Sequence, residues 1–469
     1  MGGSQSKSLK EVVEILVNSE LPSKSDELWD DLWTMDTSPA LIHEHISPAV
    51  ARTLILKQPG NLKKLFKLAI AQLSQVIETP YPVYFPQALN CVRILTRLLP
   101  FMLEAESKLE YLQDLLWNVQ VAKKVRRLSF SKSSADATTP SKVETAKVQV
   151  VHKAQPLGQV LLYCAFSLCF LPEFTIGAVG REFSPEEMES RAFKAAIMWS
   201  HGVGSLEKAV AASTQYDRNR IEALRLLLAG SCGDIYRTYD SLLTSANPWL
   251  KIACGNDAPF AEALFYSLMN TVLGYDPVGW GLPFSSYISR DTVKELMESS
   301  IDVLLVLLNY GLSFAECCKA LDASSQVRSV DGIEGYNVYR FLLSSIRRND
   351  EFNFICKGFM RLFQYINTYR NSSPHLHLFE AKIVALLWKL LDENSEFLEY
   401  YIDLSTSSEI WVALLEIMLV RRYVNYYRGN IYCLLSFIIL GRSLGSCSSC
   451  ICLLSFCSSS LPTEASPSL

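Results

Sequence analysis

Two short stretches of this sequence could carry chemistry, and both concern lipid. The chain opens Met1-Gly2-Gly3-Ser4-Gln5-Ser6-Lys7. Removal of Met1 exposes the amine of Gly2, and the small hydroxyl of Ser6 suits the pocket of an N-myristoylating acyltransferase. The competing reading is an inert polar start. One myristoyl chain holds a membrane only marginally, so a second attachment is required. Lys123, Lys124, Arg126 and Arg127 cluster beside Leu128 and Phe130. At an anionic cytosolic leaflet each such charge contributes on the order of 1 kcal/mol. Arg126-Arg127-Leu128-Ser129 also reads as a basophilic kinase site, and phosphate on Ser129 would cancel part of that attraction. A solvated linker is the plainer reading of the same charges.

Other candidate chemistry fails on spacing. His43-x-His45 and His375-x-His377 are the close histidine pairs. Residues two apart on a helix point to different sides and cannot chelate one ion. Cys447-x-x-Cys450, with Cys452 and Cys457, has knuckle spacing but lies in apolar Ser/Leu sequence without a polar frame. Asp30-Asp31 and Glu186-Glu187 read as solvated faces. Phosphate-loop, dinucleotide, metalloprotease and nucleophile-elbow motifs are all missing. The expectation is therefore a non-enzyme with no cofactor, no metal and no small-molecule substrate.

The elements that must carry Gly2 and the basic cluster are helices. Hydrophobic residues make up 49% of the 469 positions and aromatics 11%, enough for a large core. A net charge of −4 with interspersed signs gives no global reason to expect nucleic acid. Apolar residues recur at three- and four-residue spacing in Leu62–Ile70 and in Ala88–Leu103, where Leu89, Val92, Leu95, Leu99 and Leu103 predict one stripe. Asp217–Leu228, Asp291–Leu308, Asp350–Phe363 and Glu380–Leu391 repeat the pattern, and their leading acids are candidate caps. Val160–Leu171 and Ile301–Leu308 are too short to span a bilayer and read as buried helices. Cys91, Cys164, Cys169, Cys232 and Cys254 sit in apolar runs and read as small buried hydrophobes of a reducing compartment. No apolar signal segment follows Met1, so a cytoplasmic chain is expected.

Helices joined by short Pro/Gly breaks predict an all-α fold, an extended helical-repeat (armadillo/HEAT-like) solenoid of antiparallel helices. A compact bundle is the competing architecture. Residues 1–120 form an N-terminal helical region bearing the lipidation signal, and 121–155 a basic, disordered linker. Residues 156–440 form the main solenoid, and 441–469 an aberrant Ser/Cys-rich tail.

Asn247-Pro248-Trp249, Phe260–Leu273 and Gly274-Tyr275-Asp276-Pro277-Val278-Gly279-Trp280-Gly281-Leu282-Pro283-Phe284 closely resemble the high-temperature-induced dauer formation (Hid) family, a relative of dymeclin. Leu28-Trp29-Asp30-Asp31-Leu32-Trp33, the Leu89–Pro100 run, Asp217–Glu222, Asp350–Leu362 and Leu386–Leu390 are similar too, as is the Met1-Gly2 start. The resemblance runs to about residue 440 and implies a myristoylated helical-repeat protein, peripheral on the cytosolic face of Golgi and trans-Golgi membranes. It further implies partnership with trafficking proteins and sorting of cargo into secretory, dense-core vesicles, without enzymatic activity. The acyl site falls on Gly2. Loop aromatics Tyr275 and Trp280 are candidate partner contacts, beside a purely structural role for the glycines and prolines. Beyond Gly441 the family pattern stops, whereas the resemblance implies further helices, so the chain reads as truncated. The run Ile431–Leu440 is too short for a tail anchor.

Overall fold

The computed structural model describes residues 8–20, 26–35, 37–118, 155–178, 187, 190–204, 213–276, 287–323, 333–369 and 376–403. In chain order the helices are α1 (Leu9–Asn18), α2 (Asp26–Thr34), α3 (Pro39–His45), α4 (Pro48–Lys57), α5 (Pro59–Glu78), α6 (Phe85–Glu106) and α7 (Glu110–Leu116). Then follow α8 (Leu157–Leu168), α9 (Arg191–Ile197), α10 (Thr214–Ser231), α11 (Tyr239–Thr244), α12 (Pro248–Ala253) and α13 (Ala261–Gly274). The last are α14 (Tyr287–Leu308), α15 (Phe314–Ala323), α16 (Val338–Ser344), α17 (Asn349–Tyr369), α18 (Leu376–Glu393) and α19 (Ser395–Asp403). No strand occurs among the described residues, only an isolated bridge between Pro172 and Ile176. The all-α expectation is borne out.

The long helices stack in two rows. In one, α5 packs on α8 and, further along, α13 packs on α17; in the other, α6, α10, α14 and α18 pack each on the next. Across the rows, α5 meets α6, α8 meets α10, α13 meets α14 and α17 meets α18. Such stacked pairs agree with a helical solenoid, in which each unit buries its apolar face on its neighbours. Helices α5, α6 and α7, before residue 119, pack directly against α8 and α10, beyond residue 154, and share one apolar core with them.

Buried asparagines hold the stack together at helix ends, where the last carbonyls lack intrahelical partners. The Nδ2 of Asn61 donates to the carbonyls of Leu16 and Ser19, both at 2.8 Å, tying α5 to the end of α1. Asn90 on α6 ties the end of α2 through the carbonyls of Trp33 and Met35. Asn337 and Asn394 do more. Each accepts helix-start amides at Oδ1, from Tyr339 and Arg340 or from Phe397. Each also donates from Nδ2 to two carbonyls of an earlier helix end: Leu307 and Tyr310 (2.7 and 2.8 Å), or Leu343 and Ile346 (2.9 and 2.8 Å).

Two expectations need correction. The acids taken as caps lie inside their helices: Asp217 falls in the first turn of α10, Asp291 within α14 and Asp350 in the first turn of α17. Side-chain capping comes instead from Ser8, Ser38, Ser47, Ser190, Thr238, Asn247 and Asn337. Helix α6 also buries more than one stripe. Leu89 is only partly covered, while Cys91, Ile94, Leu98 and Met102 join Val92, Leu95, Leu99 and Leu103 inside. The reason is position: α6 has α2, α3, α4, α5, α7 and α10 around it.

Candidate functional site

Gly2, Lys123, Lys124, Arg126, Arg127 and Ser129 lie outside the described residues, as do the 441–469 tail with its cysteines, His375, and most of the signature loop including Trp280. Tyr275, where that loop begins, is partly buried, and its carbonyl accepts from Arg361 Nε at 3.0 Å. Burial pushes its hydroxyl up to about 12. It is built into the packing rather than offered to solvent. Among the described residues, no group of three or more His, Cys, Asp or Glu could hold a metal ion. No described helix is long and apolar enough to cross a membrane.

The open site is a groove of about 690 Å³ at the edge of the second row. Its walls are the last turns of α10 and α14, and its flank is the segment from Cys232 to Leu250. Equivalent helices of successive pairs run the same way, so both present their C-terminal ends here. Local packing explains the opening. Trp249, after the Asn247-Pro248 start of α12, lies flat on α10 at Gly230, where a Cβ would come within 2.1 Å of the indole. That glycine lets α12 close on α10 below the groove, while the chain between them bulges outward. Arg237 clips the bulge. Its Nη1 donates to Asp234 Oδ1 at 2.8 Å, and Nη2 reaches Ser245 Oγ at 2.5 Å and the carbonyls of Ser241 and Ser245. At the far rim Gly311 adopts φ +71°, and Leu312 N donates to Gly335 O at 2.9 Å. A Cβ on Gly311 would meet that carbonyl oxygen at 2.2 Å, so the close approach requires glycine.

The groove is apolar in its floor and acidic at its rim. Leu228, Leu250, Leu305 and Val306 line it, and Ile235 (77% exposed), Tyr239 (75%) and Leu242 (43%) crowd the adjoining bulge. Asp234 and Asp302 are its lining carboxylates, and Asp302 Oδ1 stands 2.6 Å from Lys382. Burial pushes the Tyr310 hydroxyl up to about 12, and the charges of Cys254, Asp234 and Glu334 push it the same way. Nearby Glu106 accepts from Trp117 Nε1 at 2.6 Å, and burial raises its carboxyl above the ordinary value against the pull of Trp117 and Arg237. Cys232 was read from sequence as a buried thiol; it is instead half-buried on the groove wall because α10 ends beside it. Cys91, Cys164, Cys169 and Cys254 are buried as expected, and burial pushes Cys164 to about 11 and Cys169 to about 12. Such thiols are inert.

The groove carried no motif. The visible signal was four large apolar residues (Ile235, Tyr236, Tyr239 and Leu242) among Asp, Arg, Thr and Ser, too short for either period to decide their environment.

The residues that carried the family resemblance have structural work here. Arg93 donates from Nε to Glu222 at 3.1 Å and from Nη1 to Thr37 O at 2.5 Å; Arg97 reaches Ile46 O at 2.8 Å. Arg220 pairs with Asp217 at 2.7 Å and lies over the Trp199 ring. Trp29, Leu32 and Trp33 are buried.

The profile of the high-temperature-induced dauer-formation protein family matches residues 1–443. Protein HID1 of Homo sapiens is 28% identical over 434 residues, covering 88% of this chain and 51% of that protein. Protein HID1 of Mus musculus is 29% identical, with 88% and 51% covered. The Ubp5-interacting protein ftp105 of Schizosaccharomyces pombe is 22% identical over 495 residues, with 92% and 52% covered. The chain thus spans about half the length of the curated relatives it matches. No solved structure matches it. On the match of its first 443 residues, this chain belongs to the high-temperature-induced dauer-formation protein family.

Proposed function

We propose that the chain is a non-enzymatic, peripheral-membrane scaffold on the cytosolic face of Golgi and trans-Golgi membranes, acting in trafficking and in sorting of cargo into secretory, dense-core vesicles. The observation that carries the scaffold part is the architecture: stacked helix pairs with one broad apolar groove and exposed aromatics at its edge. Large exposed apolar patches mark interaction sites. The relatives are named for their family rather than for a reaction. Membrane attachment rests on Gly2 as the acylated residue, with Lys123, Lys124, Arg126 and Arg127 as the second, electrostatic contact and Ser129 phosphorylation as its release. Trafficking proteins are the partners, with no nucleic acid, small-molecule substrate or cofactor involved.

A soluble helical-repeat adaptor is the second reading. It is favoured by one name, since the fission-yeast relative is called Ubp5-interacting. The two readings part at the N-terminus. Mass spectrometry of the N-terminal peptide from a eukaryotic host is expected to show a myristoylated Gly2, and Gly2→Ala is expected to move the protein off Golgi membranes. An unmodified Gly2, or unchanged membrane association of the variant, decides for the soluble adaptor.

A further inference from the structure

The groove is acidic as well as apolar, and that combination selects its occupant. Asp234 and Asp302 each engage a cation through Oδ1, with Arg237 at 2.8 Å and Lys382 at 2.6 Å, which leaves lone pairs of each carboxylate for a further donor. Arg237, the cation of the lining, is turned inward onto Asp234 and Ser245. The 18-residue α10 and the 22-residue α14 end at the groove, and helix C-termini carry partial negative charge. Glu334, close enough for its charge to act on Tyr310, adds to the same field. The floor offers Leu228, Leu305 and Val306, and the rim offers Ile235, Tyr239 and Leu242. A volume of about 690 Å³ is within the usual size of ligand clefts, about 300–1,000 Å³.

We infer that this groove docks a basic peptide segment of a partner protein, seating Leu or Phe on the floor beside Ile235 and Leu242 and setting Lys or Arg against Asp234 and Asp302. The inference rests on the scaffold reading and gives that scaffold a partner chemistry. An anionic leaflet is disfavoured because its lipids would face the carboxylates. A second copy joined by two-fold symmetry would bring two acidic rims together. A basic amphipathic peptide satisfies both surfaces at once, laying apolar anchors into the groove as helix-in-groove partners do.

The test is fluorescence anisotropy of the full chain with two labelled peptides. One alternates Leu and Phe with Lys and Arg, and the other carries Glu at every basic position. The basic peptide is expected to bind saturably, and the acidic one at least about tenfold more weakly. Ile235→Ser with Leu242→Ser, at exposed positions that leave folding intact, is expected to weaken the basic peptide by about tenfold. Asp234→Asn with Asp302→Asn is expected to weaken it further at low salt. Equal affinity for the two peptides, or binding untouched by either double variant, overturns the inference. So does saturable binding to anionic vesicles that is lost in Ile235→Ser with Leu242→Ser. A parent dimer in sedimentation that this same variant dissociates gives the groove to a second copy. Peptide binding seen only after deletion of residues 121–130 gives it to the chain's own basic segment. None of these outcomes depends on Gly2, so a failed groove leaves the Gly2→Ala result standing and separately readable.

Discussion

Three asparagines open helices in this stack, and one of them holds its neighbour loosely. Asn337 and Asn394 each cap a helix start with Oδ1 and grip two carbonyls of an earlier helix end at 2.7–2.9 Å. Asn247 caps α12 just as well, accepting from Trp249 and Leu250, but its Nδ2 reaches Ser231 O only at 3.5 Å. The locked junction behind Asn337 has a further brace. Arg340 donates from Nε to Leu308 O at 2.7 Å and sets Nη1 3.1 Å from the buried Glu393. At the loose junction the matching charges are Arg237 and Asp234, and Asp234 is 37% exposed. The same residue type thus closes one helix end and leaves another open, and the opening is where the groove and its exposed apolar residues lie.

Mutations can break this contrast in order of size. Arg340→Ala removes the guanidinium beside a buried carboxylate and should cost about 3–5 kcal/mol, the loss typical of a broken buried pair. Asn337→Ala or Asn394→Ala deletes a cap and bares two carbonyls at once, at a cost of about 2–4 kcal/mol. Asn247→Ala deletes little more than a cap and should cost about 1 kcal/mol. Urea midpoints of the three asparagine variants check the ranking. An Asn247→Ala loss as large as that of Asn337→Ala would mean that the two junctions are equally tight.

A smaller effect sharpens the comparison through pH. Burial raises the Glu106 carboxyl beside the loose junction. A folded-state value above the unfolded one favours folding at low pH, where both states are protonated, and that contribution is lost as pH rises through the folded value. At neutral pH the buried carboxylate therefore opposes folding. Glu106→Gln keeps an acceptor for Trp117 Nε1 and should raise the melting temperature at neutral pH, with the gain fading below the ordinary carboxyl value of 4.5. A gain that persists in acid, or a loss at neutral pH, contradicts this assignment.

Much of the fold was legible because helical periodicity is a local signal. The runs Leu62–Ile70 and Ala88–Leu103 fall inside α5 and α6. The caps were misplaced for a physical reason. Asp at the start of an apolar run suits the first turn as well as the cap, and only the backbone distinguishes Ser213 from Asp217. Asn61, Asn90, Asn337 and Asn394 could not be read as ties, since their partners lie 45 or more residues away for the first two and 27 or more for the others. The groove was illegible for the same reason: Asp234 and Asp302 share it only after α10 and α14 are stacked. Gly2 and the basic cluster ran the other way, since their chemistry is written in local sequence and lies outside the described residues.

Amide hydrogen exchange of the intact chain tests most directly whether one slack junction leaves the groove open between locked neighbours. Opening free energies differ between cooperative units of one protein, and exchange reads them segment by segment. Amides of residues 232–250 should exchange at least about tenfold faster than those of α16 and α19, a difference of about 1.4 kcal/mol in opening free energy. Equal protection across the Asn247, Asn337 and Asn394 junctions would contradict the account.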